Sequence, residues 1–454
     1  MEIGRYPGPR THARVGQIDA WPVSLADLIG GSMSQSGRGN VRWLLVGWMF
    51  VLSAVSYLDR VNISIAGRFL AQEYGLDNVR LGNVFSAFIL GYALFQAPGG
   101  RLADRFGPRR VLTVGVLWWG VFTALTGSLP TGAAWAVTML FLVRFLLGVG
   151  EAVMYPASNR LVSRWVPSRE RGLANGVIFA GVGVGAGVTP PLVTWLLEAH
   201  GWRVAFVVCA VIGSVAAAIW YLIGRDAPDE HPWVSASEAA YIRAGLPPGR
   251  PNGTQLDWRT ILRNRSVLAL TASYVGFGYA AYIFFSWFFI YLNTVRGLNL
   301  RASGYYAMLP FLAMAVASPL GGWLGDRLSE RRGRTVGRRT VAVGGMGLAA
   351  VFIALGVQVD SPQLASVVLA GGAGALYLSL SSFWAVTADI GGASAGSVSG
   401  VMNMGNQIAG AVTSSLSPWI AERLGWNTSF VVAAGLCAIG AAAWFGVDAE
   451  RPVG

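Results

Sequence analysis

The sequence predicts an all-α membrane protein, with twelve transmembrane helices in two pseudo-symmetric six-helix halves. Three observations carry this. First, 54% of the 454 residues are apolar and only 12% are charged, about half the roughly 25% of ordinary globular chains. So few charges cannot cover the soluble domains that this length would otherwise build, and a disordered chain would be far less apolar. Second, twelve runs each approach the ~20 apolar residues that a membrane helix needs. Third, a charged motif after the second run returns after the eighth.

The runs lie at about 43–65, 82–100, 111–130, 134–156, 173–197, 204–224, 267–292, 304–324, 340–358, 363–386, 397–421 and 429–447. Helices are expected because backbone polar groups in lipid must be satisfied within the segment, and the period-2 alternation of a barrel is absent. Every basic residue is Arg. With the N-terminus inside, 26 of the 34 arginines fall on cytoplasmic segments and six on outer loops, while Arg60 and Arg144 lie within spans. This bias places both termini in the cytoplasm of a multi-pass inner-membrane protein. The net charge of +12 is spread over the loops, so it is no nucleic-acid footprint.

The expected organisation follows from these limits. Residues 1–41 form a disordered cytoplasmic tail without a signal peptide, and Met33 is an alternative start. The six-helix halves are 42–224 and 267–448. A cytoplasmic linker, 225–266, carries Pro228, Pro232, Pro247, Pro248 and Pro251, and 449–454 is a C-terminal tail. Cys209 and Cys437 lie in apolar runs. With three scattered His they give no disulfide framework and no metal spacing. The many Trp and Phe are expected mainly at the interface belts or facing lipid. No nucleotide motif, cofactor motif or nucleophile–base pair is present, so neither an enzyme nor an ATP-driven pump is expected.

The repeated motif reads Gly100-Arg-Leu-Ala-Asp104-Arg105-Phe-Gly107-Pro-Arg109-Arg110. Its second copy reads Gly322-Trp-Leu-Gly-Asp326-Arg327-Leu-Ser329-Glu-Arg331-Arg332, at an offset of 222. Spans five and eleven match at an offset of 224, pairing Gly176 with Gly400, Gly181 with Gly405 and Thr189 with Thr413. Parallel six-span repeats are a transporter architecture whose site lies between the halves near the midplane. An Asp at a helix end can hold arginines and a neighbouring helix end. Gly100, Asp104, Arg105, Arg109, Arg110, Asp326, Arg327 and Arg331 are therefore expected to form a conformational latch.

The motif resembles the signature loop of the major facilitator superfamily, with only the inner Gly missing from the second copy, at Ser329. Three further stretches are similar to the anion:cation symporter family, the permeases of hexuronates, galactonate, glucarate and aromatic acids. They are Tyr57-Leu-Asp59-Arg60-Val-Asn62, the span-two run Phe85 to Gly100, and Arg144-Phe-Leu-Leu-Gly-Val-Gly-Glu151-Ala. The resemblance covers residues 42 to 448. It implies the major facilitator fold and proton-coupled uptake of an organic anion. The span-one Asp-Arg pair and the span-four Glu would then take part directly.

The residues point the same way by themselves. Asp59, Arg60, Arg144 and Glu151 stand inside spans, at roughly 2.5–3.5 kcal/mol each at a helix centre. Charges so placed are functional candidates by default. Arg60 and Arg144 are the expected carboxylate anchors, since guanidinium binds carboxylate bidentately. Arg144 and Glu151 share one helix face two turns apart, which is expected to look into the cavity. A desolvated carboxyl favours its neutral form, so protonation of Asp59 or Glu151 would free an Arg for substrate; structural pairing, such as Asp59 with Arg144, is the competing reading.

Tyr57, Tyr92, Gln96, Tyr282, Ser382, Trp384, Asn403 and Asn406 are the expected neutral substrate contacts. Tyr279, Tyr282, the span-ten Ser and Trp, and the span-eleven Asn residues are favoured by the resemblance. The expected partners are a small organic anion, protons and the bilayer, acting on a monomer. A sugar acid is favoured, because no buried cation in the second half suits a second carboxylate. Aromatic or other carboxylates, sodium-coupled or uncoupled movement and, distantly, a ligand sensor remain open.

Overall fold

A computed structural model describes residues 1, 39–76, 78–132, 135–246 and 255–453. Residues 2–38 of the predicted tail and the prolines at 247, 248 and 251 therefore lie outside the described residues. The first half contains α1 (Val41–Tyr74), α2 (Asn78–Phe106), α3 (Pro108–Ser128), α4 (Ala136–Glu151), α5 (Met154–Trp165), α6 (Arg171–His200) and α7 (Trp202–Ile223). The linker holds α8 (Ala236–Gly245) and α9 (Trp258–Arg263). The second half contains α10 (Arg265–Ser286), α11 (Leu300–Arg332), α12 (Arg334–Gly356), α13 (Pro362–Gly391), α14 (Ala395–Leu424) and α15 (Trp426–Ala443). Counting α4 with α5 as one broken span, the described residues form twelve membrane-length segments.

Most helices overrun their apolar cores, because their ends stand in polar surroundings where helix and membrane need not stop together. Span four is not continuous: α4 ends at Glu151 and α5 begins at Met154. Pro156 is the cause. It has no N–H for the carbonyl of Ala152, and its ring crowds that carbonyl. The linker is not simply an irregular strap. Ser235 caps α8 by accepting from the Glu238 N–H. Buried Glu238 in turn accepts from the Val41 and Arg42 N–H groups at 3.3 and 3.2 Å, capping α1. The C-terminal tail also packs: the Val453 N–H donates to the Ile390 carbonyl at 3.0 Å.

The duplication is visible in three dimensions. Helix pairs turn on glycines with positive φ at Gly107 and Gly333, and again at Gly201 and Gly425. The second pair keeps the offset of 224. The first pair does not keep 222. At Ser329, the counterpart of Gly107, α11 is still helical and runs one turn further to Gly333. The signature is therefore not a loop: Gly100 to Arg105 and Gly322 to Arg332 lie inside helices.

The halves meet through crossed contacts, α2 against α14 and α11 against α6. A Cβ on Gly100 would lie 2.0 Å from the Gly396 carbonyl oxygen, and one on Gly322 would lie 2.1 Å from that of Gly172. Only glycine allows this approach. Asp104 accepts from the N–H groups of Gly396 (3.0 Å) and Ser397 (2.7 Å) and from the Ser397 hydroxyl (2.6 Å). Asp326 accepts from the N–H groups of Gly172 (3.0 Å) and Leu173 (2.7 Å). Each carboxylate thus takes the first orphan donors of a helix in the opposite half, where the helix dipole favours negative charge.

The cations beside these carboxylates are not the expected ones. Arg160 approaches Asp104 at 3.6 Å, and Arg338 pairs with Asp326 at 2.6 Å. The Arg109 guanidinium instead donates to the Tyr221 carbonyl of its own half, and its backbone N–H to Asp226 at the start of the linker. Arg105 lies against Phe106 and Arg327 against Trp323. Arg105, Arg110 and Arg331 are exposed. Arg105, Arg327 and Arg331 leave the last turns of α2 and α11 on faces turned away from these carboxylates, whereas Arg160 and Arg338 reach them from neighbouring helices. A further buried pair, Arg171 with Asp389 at 2.6 Å, also crosses the halves. These contacts gather at the arginine-rich end of the bundle, with the linker and the last described residue. Below, this is the basic end and its opposite the far end.

Replacing Gly100 by Leu forces α2 and α14 apart at the basic end. Spin labels at the exposed positions 105 and 331 should then report a longer distance than in the parent. An unchanged distribution would show that the contact does not hold the halves together.

Candidate functional site

A small cavity, about 40 Å³, lies between the halves. From the first half α1 supplies Tyr57 and Arg60, α2 supplies Tyr92, α5 supplies Tyr155, and α6 supplies Phe179 and Val182. From the second, α10 supplies Tyr274, Ala281, Tyr282 and Phe285, α13 supplies Tyr377 and Leu380, and α14 supplies Asn403, Asn406 and Gln407. Arg60 is the one cation on this wall among the described residues.

The Arg60 Nε donates to Glu151 Oε1 at 2.5 Å. Glu151 ends α4, where the Pro156 break leaves its side chain turned toward α1. The Arg60 guanidinium also lies over the rings of Tyr92 (4.1 Å), Tyr57 (5.0 Å) and Phe88 (5.2 Å). Aromatic faces carry negative potential, so they hold a desolvated cation without adding formal charge. Arg60 Nη2 and Glu151 Oε2 make no hydrogen bond within the protein. The pair therefore keeps bonding capacity in reserve.

The other two intramembrane charges do not line the cavity, and for Arg144 this departs from the expected role as an anchor. Arg144 is 2% exposed and lies 5.1 Å from the Phe88 ring. Its Nε and Nη1 are unbonded, and no carboxylate comes within 4.0 Å among the described residues. Asp59 is 2% exposed, and both its oxygens lack partners. Thr123 and Trp119 of α3 face it without meeting hydrogen-bond geometry. Adjacent residues on a helix project ~100° apart: Arg60 takes the cavity face, which turns Asp59 into the first half. The shared face of Arg144 and Glu151 is likewise inside that half, and Glu151 reaches the site through Arg60.

Of the neutral candidates, Tyr57, Tyr92, Tyr282, Asn403 and Asn406 line the cavity. Gln96 lies beside it, and its Oε1 accepts from Asn403 Nδ2 across the halves at 2.9 Å. Trp384 is beneath the cavity, where its indole N–H donates to the Tyr274 hydroxyl at 3.0 Å. Its ring packs against Tyr155 and Phe179. Ser382 is buried with an unbonded hydroxyl and does not line the cavity. Tyr155, Tyr274 and Tyr377 were not among the expected residues. Tyr155 opens α5 just before Pro156, and that proline was a readable sign that the side chains of this stretch are re-aimed. Of the tryptophans, Trp119, Trp165, Trp220, Trp384 and Trp444 are fully buried, whereas Trp118, Trp135, Trp195, Trp233 and Trp419 are exposed.

Among the described residues, every hydrogen bond between the halves lies at the cavity floor or nearer the basic end. They include Asn159 with Thr387 (2.9 Å) and Arg160 with the Gly392 carbonyl (2.7 Å). On the far side the rings of Tyr57 and Phe285 approach across the seam to 6.1 Å. The basic end is therefore held by polar bonds, while the far side is crossed here by an aromatic contact.

These features define a membrane transporter with a central site between duplicated halves, not an enzyme. The chain belongs to the major facilitator superfamily, whose family model matches residues 49–337 and 304–454. It is 33% identical over 411 residues to a probable sulfoacetate transporter of Cupriavidus necator, covering 89% of this chain and 94% of that one. It is 32% identical over 428 residues to a probable galactarate/D-glucarate transporter of Bacillus subtilis, covering 90% and 92%. Its fold matches the solved proton:xylose symporter with a TM-score of 0.69 at 15% identity, covering 90% and 98% of the chains.

The Arg60–Glu151 pair is open to a stability test. Glu151→Ala leaves a buried guanidinium without its counter-ion, at a cost of about 3–5 kcal/mol. Adding Arg60→Met should recover most of the loss. Thermal unfolding of both variants in detergent would show this, and a double variant no more stable than the single one would count against the pairing.

Proposed function

We propose that this protein takes up an organic anion with protons by alternating access, with Arg60 as the carboxylate anchor and Glu151 as the coupling group. The observation that carries the reading is the Arg60–Glu151 bond at 2.5 Å, made by the one cation on the cavity wall among the described residues. The printed names of the relatives, transporters of sulfoacetate and of galactarate or D-glucarate, support an anionic cargo.

A substrate carboxylate and Glu151 compete for the same guanidinium. While Glu151 is ionised it holds Arg60 and repels an incoming anion. A proton on Glu151 removes that charge, and the freed fork of Arg60 receives the substrate carboxylate bidentately. Tyr57 and Tyr92 flank the anchored group. The neutral Tyr282, Asn403, Asn406 and Gln407 of the second half meet the rest of the substrate. Binding thus gives both halves a shared ligand, and it favours the state in which they close round it. Asp59, turned away from the cavity, is a second proton carrier within the first half. Charge on one side and neutral polar groups on the other suit a sugar monocarboxylate.

The positive-inside rule puts the basic end, with both chain ends, in the cytoplasm of the inner membrane. The structure then represents a state closed to the cytoplasm. Asp104 and Asp326 are the latches of that state.

Glu151→Gln, neutral at every pH, should lose proton-driven accumulation in proteoliposomes while retaining exchange of substrate across the membrane. Accumulation that survives would remove Glu151 as the coupling group. Arg60→Lys keeps the charge but not the planar fork. Loss of one charged hydrogen bond, worth about 1.5–3 kcal/mol, should weaken substrate binding by roughly ten- to a hundred-fold. Lumenal acidification on adding a panel of sugar, aromatic and sulfonated acids to dye-loaded vesicles would identify the substrate class.

A further inference from the structure

A second cleft, of about 350 Å³, lies at the basic end. Its walls come from three parts of the chain: Ser168 and Arg169 before α6, Tyr241 with Ala244 and Gly245 on linker helix α8, and Ser329, Glu330 and Arg334 at the α11–α12 turn. We propose that this cleft binds a small dianion that bridges Arg169 and Arg334 and locks the basic end closed. The orientation of that end toward the cytoplasm rests on the reading given under Proposed function; the site itself does not.

Four observations support it. Arg169 and Arg334 belong to opposite halves and line one cleft. Neither has an ion pair among the described residues. The Arg169 guanidinium is held in place, 4.6 Å above the Tyr241 ring. The Ser168 side-chain oxygen is buried and makes no hydrogen bond within the protein. Against two arginines stands one acid, Glu330, so the cleft carries a net positive charge.

The linker wall is fixed and does not swing freely. Tyr241 donates to Glu170, which also accepts from Arg42 at 2.9 Å. Glu238 of the same helix is fully buried at the start of α1. Beneath the cleft, Arg338 binds the Ser168 carbonyl at 3.1 Å and joins the two halves. Separating the halves would carry Arg334 away from Arg169 and divide the site. A ligand that needs both arginines therefore binds the closed state alone, and it shifts the equilibrium by its whole affinity for that state. The chemistry asks for two anionic groups or one doubly charged group. A phosphate or a short dicarboxylate satisfies it equally. Bound from the basic side, such a ligand would slow transport without entering the central cavity.

The full-length protein in detergent would be titrated with inorganic phosphate and with succinate, using sodium chloride of equal ionic strength as the screening control. Thermal stability and the 105–331 spin-label distance would be read together. The expected result is saturable stabilisation with a narrower distance distribution. Arg169→Gln and Arg334→Gln should each raise the apparent dissociation constant at least ten-fold, and Arg259→Gln should not. Repeating the titration in Arg60→Met separates this site from the central one. Stabilisation that persists in Arg60→Met and fails in the cleft variants supports the proposal, whatever becomes of the coupling scheme. Stabilisation lost only in Arg60→Met assigns the effect to the central cavity and overturns the proposal, as does a response no larger than that to chloride. Phosphate alone or succinate alone acting would name the source.

Discussion

The basic end of this protein depends on one type of interaction: a carboxylate from one half bonded to the first N–H groups of a helix in the other. Asp104 does this to α14 and Asp326 to α6. The orphan donors at a helix start must find acceptors wherever water is excluded. Here they find them only when the halves are together. The acceptors are reached because Gly100 and Gly322 bring backbones to contact distances that no side chain tolerates. Close approach and hydrogen bonding are thus one event, and separation exposes both partners to water, where each is satisfied again. That reversibility suits a joint that must open in every cycle. The net worth of such bonds is modest, about 1.5–3 kcal/mol each for a charged acceptor.

The central site obeys a different constraint. Its cation lies between a carboxylate and three aromatic rings, with one guanidinium nitrogen and one carboxylate oxygen unused. A fully satisfied pair would be a structural strut. A partly satisfied one can exchange partners, because an arriving group completes bonds that the resting protein leaves open. Arg144 and Asp59 extend the same partly satisfied chemistry into the first half, away from the cavity.

Much of this could be read from the chain. Twelve apolar runs and the repeated motif fix the architecture, since lipid leaves the backbone few options. Intramembrane charge marked Arg60 and Glu151 because such residues are costly without a use. The failures have physical causes too. Spacing along one helix gives relative directions but not the helix's rotation, so Asp59 and Arg144 could not be placed off the cavity. Motif arginines are recognisable as a string, yet the cations that reach Asp104 and Asp326 come from other helices. Arg160, Arg171 and Arg338 looked like ordinary positive-inside charge. Asp389, an acid at the very end of an apolar run, was the available sign that one of them had a partner. The buried tryptophans show that a composition rich in aromatics does not say which of them face lipid.

The extra turn at the end of α11 has a consequence for the history of the two halves. In the first half the chain reverses at Gly107, and in the second it continues past Ser329 to Gly333. The added residues are those that overhang the linker helix and form one wall of the basic cleft, for which the first half has no matching overhang. A duplicated architecture begins with every surface in two copies. Lengthening one helix by a single turn is enough to give one copy a surface the other lacks, while the register of the membrane core and the crossed glycine contacts is preserved. Asymmetry can therefore accumulate at the ends of such a bundle even where its centre is bound to stay paired.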